Sequence, residues 1–320
     1  MSDRFAFTLG GRYTNDEKRL RGETLGEYDW TWNPAPGQTF KNKESWGEFT
    51  WRAAVDFQPV ENVMIYGSVS TGFRSGAYDM AQADPALIGL PVDPETVTNY
   101  EIGLKSRFLD NRAQLNIAAF DTTYEDLQFY VNAVGAGGSS ATTNAGEATV
   151  QGVEVEFSLA ITEGLILDLA WSNQDGDSKD IPVEAEIPEG TPPQGTIPNT
   201  YLASLNYRKA LQNEALFYFN IDYMQKDEYS LEFIDNSLPQ FRSKVDGMLN
   251  ANIGISLDNG WDIQIWGKNL QDEDVVLYGQ DFWFSLYGAS LGNEELFNAS
   301  FGPRYVDPRT YGVAVRYRFQ

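Results

Sequence analysis

Twelve stretches of this chain alternate apolar and polar residues with a period of two, and this pattern constrains the fold more than any other feature. A period of two indicates β-strands, because successive side chains of a strand point to opposite faces. In the last stretch one face is apolar throughout, whereas the other includes Arg316 and Arg318. The twelve stretches are 4–14, 46–57, 62–73, 97–108, 112–131, 153–159, 165–172, 201–208, 217–223, 249–257, 261–268 and 309–319.

The segments between these stretches alternate strictly between short and long. The short turns are 58–62, 109–112, 162–164, 210–213 and 258–260. The long connections are 15–44, 74–95, 132–146, 173–199, 225–243 and 271–307. Strands of about nine to twelve residues suit a tilted crossing of a bilayer, and a hairpin ladder with every long connection at one end is the layout of a bacterial outer-membrane β-barrel. The sequence therefore predicts such a barrel, with short periplasmic turns and long extracellular loops.

The two faces of each predicted strand have different expected environments. In a membrane barrel the apolar face meets lipid and the polar face lines a wet lumen. A soluble sandwich would instead have to bury twelve apolar faces in a core crowded with aromatic residues. Aromatic residues near strand ends are predicted to form the girdles at the membrane interfaces; they are Trp46, Phe73, Trp171, Tyr201, Tyr223 and Trp261.

The amino-acid composition limits the classes of function that we expect for this chain. The chain contains no histidine and no cysteine, which removes the usual general base, the thiol nucleophile and the commonest metal ligands. We therefore expect no enzyme, no cofactor and no metal site. The formal charge of −23 argues against nucleic acid as a partner, because a basic surface would be needed. Neither an apolar run long enough for a transmembrane helix nor a signal-peptide pattern is present in the sequence as it stands.

Motifs spread along the chain carry a family resemblance. They are Leu9–Thr14, Ile65–Gly76, Pro94–Ser106, Thr143–Glu147 with Gly152–Glu156, Trp266–Leu270 and Pro308–Gly312. In this order they resemble the C-terminal part of the β-barrel of TonB-dependent outer-membrane receptors of the siderophore-receptor type. The resemblance covers the whole chain, and its specificity comes from the order of the motifs.

The resemblance implies an architecture and a function. Such receptors have a barrel of about 22 strands around a plug, and they import scarce ligands, mostly ferric siderophores, with energy from the TonB complex. The twelve strands here correspond to the last twelve of that barrel. The resemblance thus predicts an all-β fragment that lacks the plug, the TonB-contacting segment and about ten strands. We expect TonB contact only through the missing N-terminal region, and no transport by this fragment alone.

A partial barrel would have two free edges, at 4–14 and 309–319. Lipid cannot satisfy the unpaired N–H and C=O groups of an edge strand. The edges could pair to close a 12-stranded barrel, or the sheet could remain open. We expect an open or incompletely closed sheet, because the lumen residues suit a wider barrel.

Candidate functional residues lie in two long connections and in the last strand. Arg74 and Tyr78 in 74–95 are predicted to contact the ligand, because arginine suits an anionic ferric chelate and aromatic rings suit its ring systems. The candidates in 271–307 are Phe282, Trp283 and Tyr287, beside Phe284. Packing of loop on loop explains these residues equally well. Tyr317 and Phe319 resemble the terminal signal read by the barrel-assembly machinery, although Gln320 makes the phenylalanine penultimate.

Alternative functions remain open at this level. The chain could form a passive pore in the outer membrane, which would conduct ions without an energy source. It could also be a soluble all-β binding module. Asp175–Asp180 is a poor match to a calcium loop, because it lacks the glycine at the sixth position and the glutamate at the twelfth. The lumen-facing pair Glu154 and Glu156 is not expected to act as an acid–base pair, because a wet lumen does not shift a carboxyl pKa strongly.

Overall fold

A computed structural model describes residues 4–23, 39–78, 89–133, 139–144, 146–182, 187–211, 214–231, 242–281 and 301–319. The strands of this part, in chain order, are β1 (Phe5–Glu23), β2 (Thr39–Val60), β3 (Val63–Arg74), β4 (Ala77–Tyr78), β5 (Pro91–Val92), β6 (Glu95–Phe108), β7 (Ala113–Glu125), β8 (Gln128–Ala133), β9 (Ser139–Asn144), β10 (Glu147–Thr162), β11 (Leu165–Lys179), β12 (Asn199–Ala210), β13 (Leu216–Ser230), β14 (Arg242–Ser256), β15 (Trp261–Lys268), β16 (Val276–Asp281), β17 (Phe301–Tyr305) and β18 (Thr310–Tyr317). No helix within these ranges is long and apolar enough to cross a bilayer.

Twelve strands form one antiparallel sheet, in the order β1-β2-β3-β6-β7-β10-β11-β12-β13-β14-β15-β18. Each strand of this sheet pairs with the sheet strand that follows it along the chain, so the sheet is a meander. Each of the twelve predicted stretches corresponds to one of these twelve strands, and the prediction of fold class is confirmed. The other three pairs, β4–β5, β8–β9 and β16–β17, are small hairpins within long connections.

The sheet is open in the described part of the chain. β1 and β18 are its two ends and do not pair with each other. The expectation of an open sheet is therefore confirmed. The short turns all lie at one end of the strands, here called the short-turn end, and the long connections lie at the other, here called the long-connection end.

The sheet has an apolar face and a polar face, as the alternation predicted. Large side chains of the apolar face are well exposed, with Leu9 84%, Phe7 67% and Tyr311 78% accessible. The opposite, polar face of β1, β2 and β18 carries Arg12, Arg52 and Arg316. A soluble protein rarely leaves so continuous an apolar surface uncovered, and a lipid-facing surface explains it without any partner side chains.

The first two strands are longer than the sequence pattern indicated. β1 has 19 residues and β2 has 22, and their pairing continues from Asn15↔Gly47 to Glu23↔Thr39. The apolar alternation stops at residue 14, but backbone pairing needs no apolar side chain. Lys43 Nζ lies 2.7 Å from Glu17 Oε2 in this extension. The carboxylate accepts hydrogen bonds from Lys43 and then from Arg19, which lower the pKa of Glu17.

One predicted strand is interrupted. The stretch 112–131 was expected to continue as one strand, but β7 ends at Glu125. Asp126 adopts a left-handed backbone with φ of 54°, which turns the chain out of the sheet, and residues 128–133 then pair with 139–144 as a hairpin. Alternation alone did not reveal the break, because Leu127 and Phe129 keep the same parity across it. Phe129 packs instead in a small buried cluster with Ile181 and Ile187.

Candidate functional site

The polar face of β11 to β14 carries a row of hydrogen-bonded side chains. Its members are Asp168, Ser204, Asn206, Asn220, Asp222 and Asn252. Asn220 Nδ2 donates to Asn206 Oδ1 at 2.7 Å, and Ser204 Oγ donates to Asp222 Oδ1 at 2.8 Å. All are half-buried, so carboxylate and amide groups remain available to water or to a polar partner. This row makes the polar face a hydrophilic wall.

One long connection folds over the polar face of β1 and β2. Two described segments of this connection, residues 75–78 and 89–92, include β4 and β5 and are here called the rim hairpin. Lys18 Nζ donates to the Gly76 carbonyl at 2.6 Å, and Asn42 Nδ2 donates to the Gly89 carbonyl. Both donors have the parity of the polar face. The rim hairpin therefore lies on the polar side of the sheet at the long-connection end.

Trp46 is the apolar anchor of the rim hairpin. Its side chain is 8% exposed, the Lys18 ammonium lies 5.8 Å from its ring centre, and the Tyr78 ring packs edge-on at 6.5 Å. The prediction that Trp46 belongs to a membrane girdle is therefore wrong. It has the parity of the polar face and lies in the extension of β2, where the connection covers it. Gly76 is needed beneath it, because a Cβ there would collide with Trp46 and with the Val92 carbonyl.

Two of the predicted ligand-contacting residues, Arg74 and Tyr78, lie at this rim. Arg74 ends β3, has an exposed side chain and pairs in register with Glu95. Among the described residues, no carboxylate lies within the 4.0 Å of an ion pair with it. Tyr78 is half-buried, with its ring packed edge-on against that of Trp46. Burial, and next the Glu44 carboxylate, raise the pKa of the Tyr78 hydroxyl. Phe282, Trp283, Phe284 and Tyr287 lie outside the described residues.

Gln128 joins two connections that the sequence treats as separate. Its Nε2 donates to the Asp93 carbonyl at 2.6 Å and to the Ser75 carbonyl at 3.2 Å. Its backbone N–H donates to Glu95 Oε2 at 2.8 Å. Asn144 adds bonds from Nδ2 to the Asp93 carbonyl at 2.8 Å and to that of Asp126 at 3.0 Å. The β4–β5 and β8–β9 hairpins are thus tied together at the rim, and no local sequence signal marked Gln128 for this role.

Asn269 organises the last long connection. It is 3% exposed and has a left-handed φ of 49°, which asparagine tolerates well. Its Nδ2 donates to the carbonyls of Glu273 and Asp307 at 2.9 and 3.2 Å, and its Oδ1 accepts from the Glu273 N–H at 2.8 Å. The motif Trp266–Leu270 therefore has a structural role: it fixes how the chain leaves β15.

An open groove lies on the polar face beneath the rim hairpin, with a volume of about 390 Å³. Its lining residues are Arg12, Thr14, Asp16, Thr50, Gly72, Phe73 and Ser75. Three hydroxyl side chains and one guanidinium give it hydrogen-bond donors. No sequence pattern marks this groove, because its residues come from three strands and a connection.

Metal chemistry has no support within the described ranges, where no group of three or more histidine, cysteine, aspartate or glutamate side chains is gathered. Asp175 and Asp177 lie within the extended strand β11, so the weak calcium-loop pattern does not form a loop. Nearby, Lys179 pairs with Glu147 at 2.9 Å, and this bond raises the pKa of the lysine.

The two residues predicted as the assembly signal lie on the apolar face at the short-turn end. The Tyr317 ring lies 4.8 Å from that of Trp261 and meets the Phe319 ring edge-on at 4.9 Å. Phe319 is 90% exposed. The pair is therefore accessible, and its role as an assembly signal stays a prediction.

Comparisons with known proteins agree with this geometry. The family model described as "TonB dependent receptor-like, beta-barrel" matches residues 1–270. The chain is 28% identical over 148 residues to the probable TonB-dependent siderophore receptor PiuA of Acinetobacter baumannii, covering 45% of this chain and 19% of that protein. It is 29% identical over 138 residues to the ferric-pyoverdine 358 receptor of Pseudomonas putida, covering 42% and 16%.

A solved structure superposes on the full length of this chain. The ferric yersiniabactin uptake receptor FyuA of Yersinia pestis superposes with a TM-score of 0.78 at 17% identity, covering 100% of this chain and 44% of that one. At this identity the likeness concerns the fold alone. The aligned regions span less than a quarter of either curated relative.

Proposed function

This chain belongs to the TonB-dependent receptor-like β-barrels of the bacterial outer membrane, and we propose that it contributes the ligand-facing wall of a receptor that imports a ferric siderophore or a similar small ligand. The observation that carries the proposal is the inward placement of the rim hairpin. A connection that covers the polar face narrows the mouth of the lumen and brings donors to it. Receptors named for ferric siderophores among the relatives support the same ligand class.

The proposed mechanism uses the two ends of the sheet differently. The long connections, on the extracellular side in this family, bind the ligand first. Arg74 and Tyr78 are the described candidates, and Phe282, Trp283 and Tyr287 complete the proposed set. The ligand then passes the hydrophilic wall that includes Asn206 and Asn220, where side-chain amides can replace part of its hydration shell.

Energy and assembly come from partners in this proposal. Energy would come from the TonB complex through a plug and a TonB-contacting segment. We assign residues 1–320 to the C-terminal part of the barrel, so these twelve strands would not transport alone. The apolar face would contact outer-membrane lipid, and the barrel-assembly machinery would read Tyr317 and Phe319. No catalytic step is proposed.

Binding and transport need separate tests. The chain, folded in detergent with its strand content checked by circular dichroism, is titrated with ferric chelates of the catecholate, hydroxamate and carboxylate classes while tryptophan fluorescence is followed. Saturable quenching by at least one class is expected. Absence of binding by folded protein to all three classes would contradict the receptor function.

The passive-pore alternative is tested by planar-bilayer conductance. A sheet with two unpaired ends does not by itself enclose a channel, so we expect no stable conductance steps. Regular steps from purified, folded chain would favour the pore. The soluble-module alternative predicts a monomer without detergent, whereas the exposed apolar face predicts aggregation once detergent is removed.

A further inference from the structure

The groove beneath the rim hairpin has a defined roof and floor. Arg12, Thr14 and Asp16 follow one another along the polar face of β1, and Thr50 lies opposite Arg12 on β2. Gly72 of β3 completes the floor, where a Cβ would come within 2.9 Å of Val97 Cγ1. Ser75 contributes the roof at the point where the chain leaves β3.

The roof is fixed to the same wall that it covers. Gly76, next to Ser75, accepts the 2.6 Å hydrogen bond from Lys18 and is closely packed on Trp46. The Ser75 carbonyl accepts from Gln128. The two anchors, at the Ser75 carbonyl and at Gly76, hold the roof in place before any ligand arrives, which reduces the ordering cost of binding.

The groove has free donors at one end. Arg12 is exposed and, within the described ranges, has no carboxylate in ion-pair distance. Asp16 lies four residues further along β1, about 13 Å away at a strand rise of about 3.3 Å per residue. The two charged side chains of the groove lining, Arg12 and Asp16, are thus at opposite ends of the β1 segment that lines it.

We propose that this groove is a subsite for an anionic oxygen group of the transported chelate, a carboxylate or a catecholate, held at the Arg12 end. The inference rests on the proposed receptor function and specifies the charge of the ligand. The guanidinium fork binds paired oxygens with two parallel hydrogen bonds. The hydroxyls of Thr14, Thr50 and Ser75 supply further donors. Asp16 repels a second negative charge at the far end and limits the depth of entry.

The test compares the binding of an anionic and a neutral ferric chelate to the full chain folded in detergent. The probes are a ferric tris-catecholate, which is a trianion, and a neutral ferric tris-hydroxamate. Binding is followed by quenching of tryptophan fluorescence at low and high salt. The variants are Arg12→Gln, Arg12→Lys and Asp16→Asn. Arg107→Gln serves as the matched control, because Arg107 is an exposed arginine on the polar face near the short-turn end.

The expected results have opposite signs at the two ends of the groove. Arg12→Gln weakens binding of the trianion about tenfold, in line with a charge-assisted hydrogen bond, and flattens its salt dependence. Arg12→Lys loses less, because it keeps the charge but not the fork. Asp16→Asn strengthens binding of the trianion about threefold by removing a repulsion of ordinary surface strength. Arg107→Gln leaves it unchanged, and none of these variants alters binding of the neutral chelate.

The outcomes separate the inference from the function on which it rests. If wild type binds chelates but Arg12→Gln and Asp16→Asn leave the trianion affinity unchanged, the subsite is wrong and the receptor function stands. Equal losses for Arg12→Gln and Arg107→Gln would also overturn it, because that pattern reports net charge alone. If folded wild type binds neither chelate, both proposals fail.

Discussion

The short-turn end and the long-connection end of this sheet are stabilised by different interactions. At the short-turn end, regular backbone pairing and an exposed apolar face account for the structure, as in Ile263↔Val315 between β15 and β18. At the long-connection end, single polar side chains such as Asn269 and Gln128 bond to the backbone of distant segments. A periodic structure tolerates substitution as long as the period is kept, whereas a structure held by individual contacts depends on each of them.

The largest effect is expected when the period itself is violated. Val313→Arg on the apolar face, 66% exposed, places a charge in lipid and should lower the free energy of unfolding by about 2–4 kcal/mol. The neighbouring Ala314→Arg faces the polar side and should change it by less than about 1 kcal/mol. Urea unfolding of the chain in lipid vesicles measures both, and equal effects would contradict the assignment of faces.

A smaller but specific effect is expected at Asn269. Asn269→Ala leaves the Glu273 and Asp307 backbone groups without their partner and should cost about 1–3 kcal/mol. The loss should be local, seen as faster hydrogen exchange in residues 270–281. Asn259→Ala in the last short turn is the control, because Asn259 is exposed. If Asn269→Ala raises hydrogen exchange equally at both ends of β15, the long-connection end does not depend on this single side chain.

The rim hairpin offers a matched pair of glycines. Gly76→Ala forces a methyl group against Trp46 and the Val92 carbonyl, and overpacking of this kind costs about 1–3 kcal/mol. Gly10→Ala, on the polar face of β1, meets no atom within 4 Å and should be neutral. Hydrogen exchange of residues 75–78 should rise for the first variant only. Unchanged exchange in Gly76→Ala would show that the hairpin is not fixed by Trp46.

The smallest effect is expected from the ion pair in the extension of β1 and β2. Lys43 and Arg19 lower the pKa of Glu17 below its usual 4.5 in the folded chain. A lowered folded pKa means that the contribution to stability is present above the unfolded value and is lost as the pH falls through the folded value. Pairing of residues 15–23 should therefore loosen slightly as the pH falls below the usual glutamate value of 4.5. Glu17→Gln should remove this step in hydrogen exchange; an unchanged step would assign it to other groups.

The contacts of the rim show why the sequence predicted the strands but not the packing of the connections. Asn144 and Asn269 lie in motifs that the sequence analysis singled out, yet their partners Asp93, Asp126 and Asp307 lie in other segments. Trp46 was assigned to a girdle because it lies at the start of a predicted strand, and its cover comes from a connection many residues away. Contacts of this kind have no period and leave no local pattern.

The sequence alone determined the strands, their two faces and the alternation of turns, because a strand's side-chain period and a turn's backbone requirements act over a few neighbouring residues. It also supported the open sheet through the family resemblance. Only the tertiary structure decided that the rim hairpin folds onto the polar face, that Gln128 joins two connections, and that Arg12, Thr50 and Ser75 share a groove. These depend on which distant backbone groups come within hydrogen-bond distance, and that is fixed by the register of the assembled sheet.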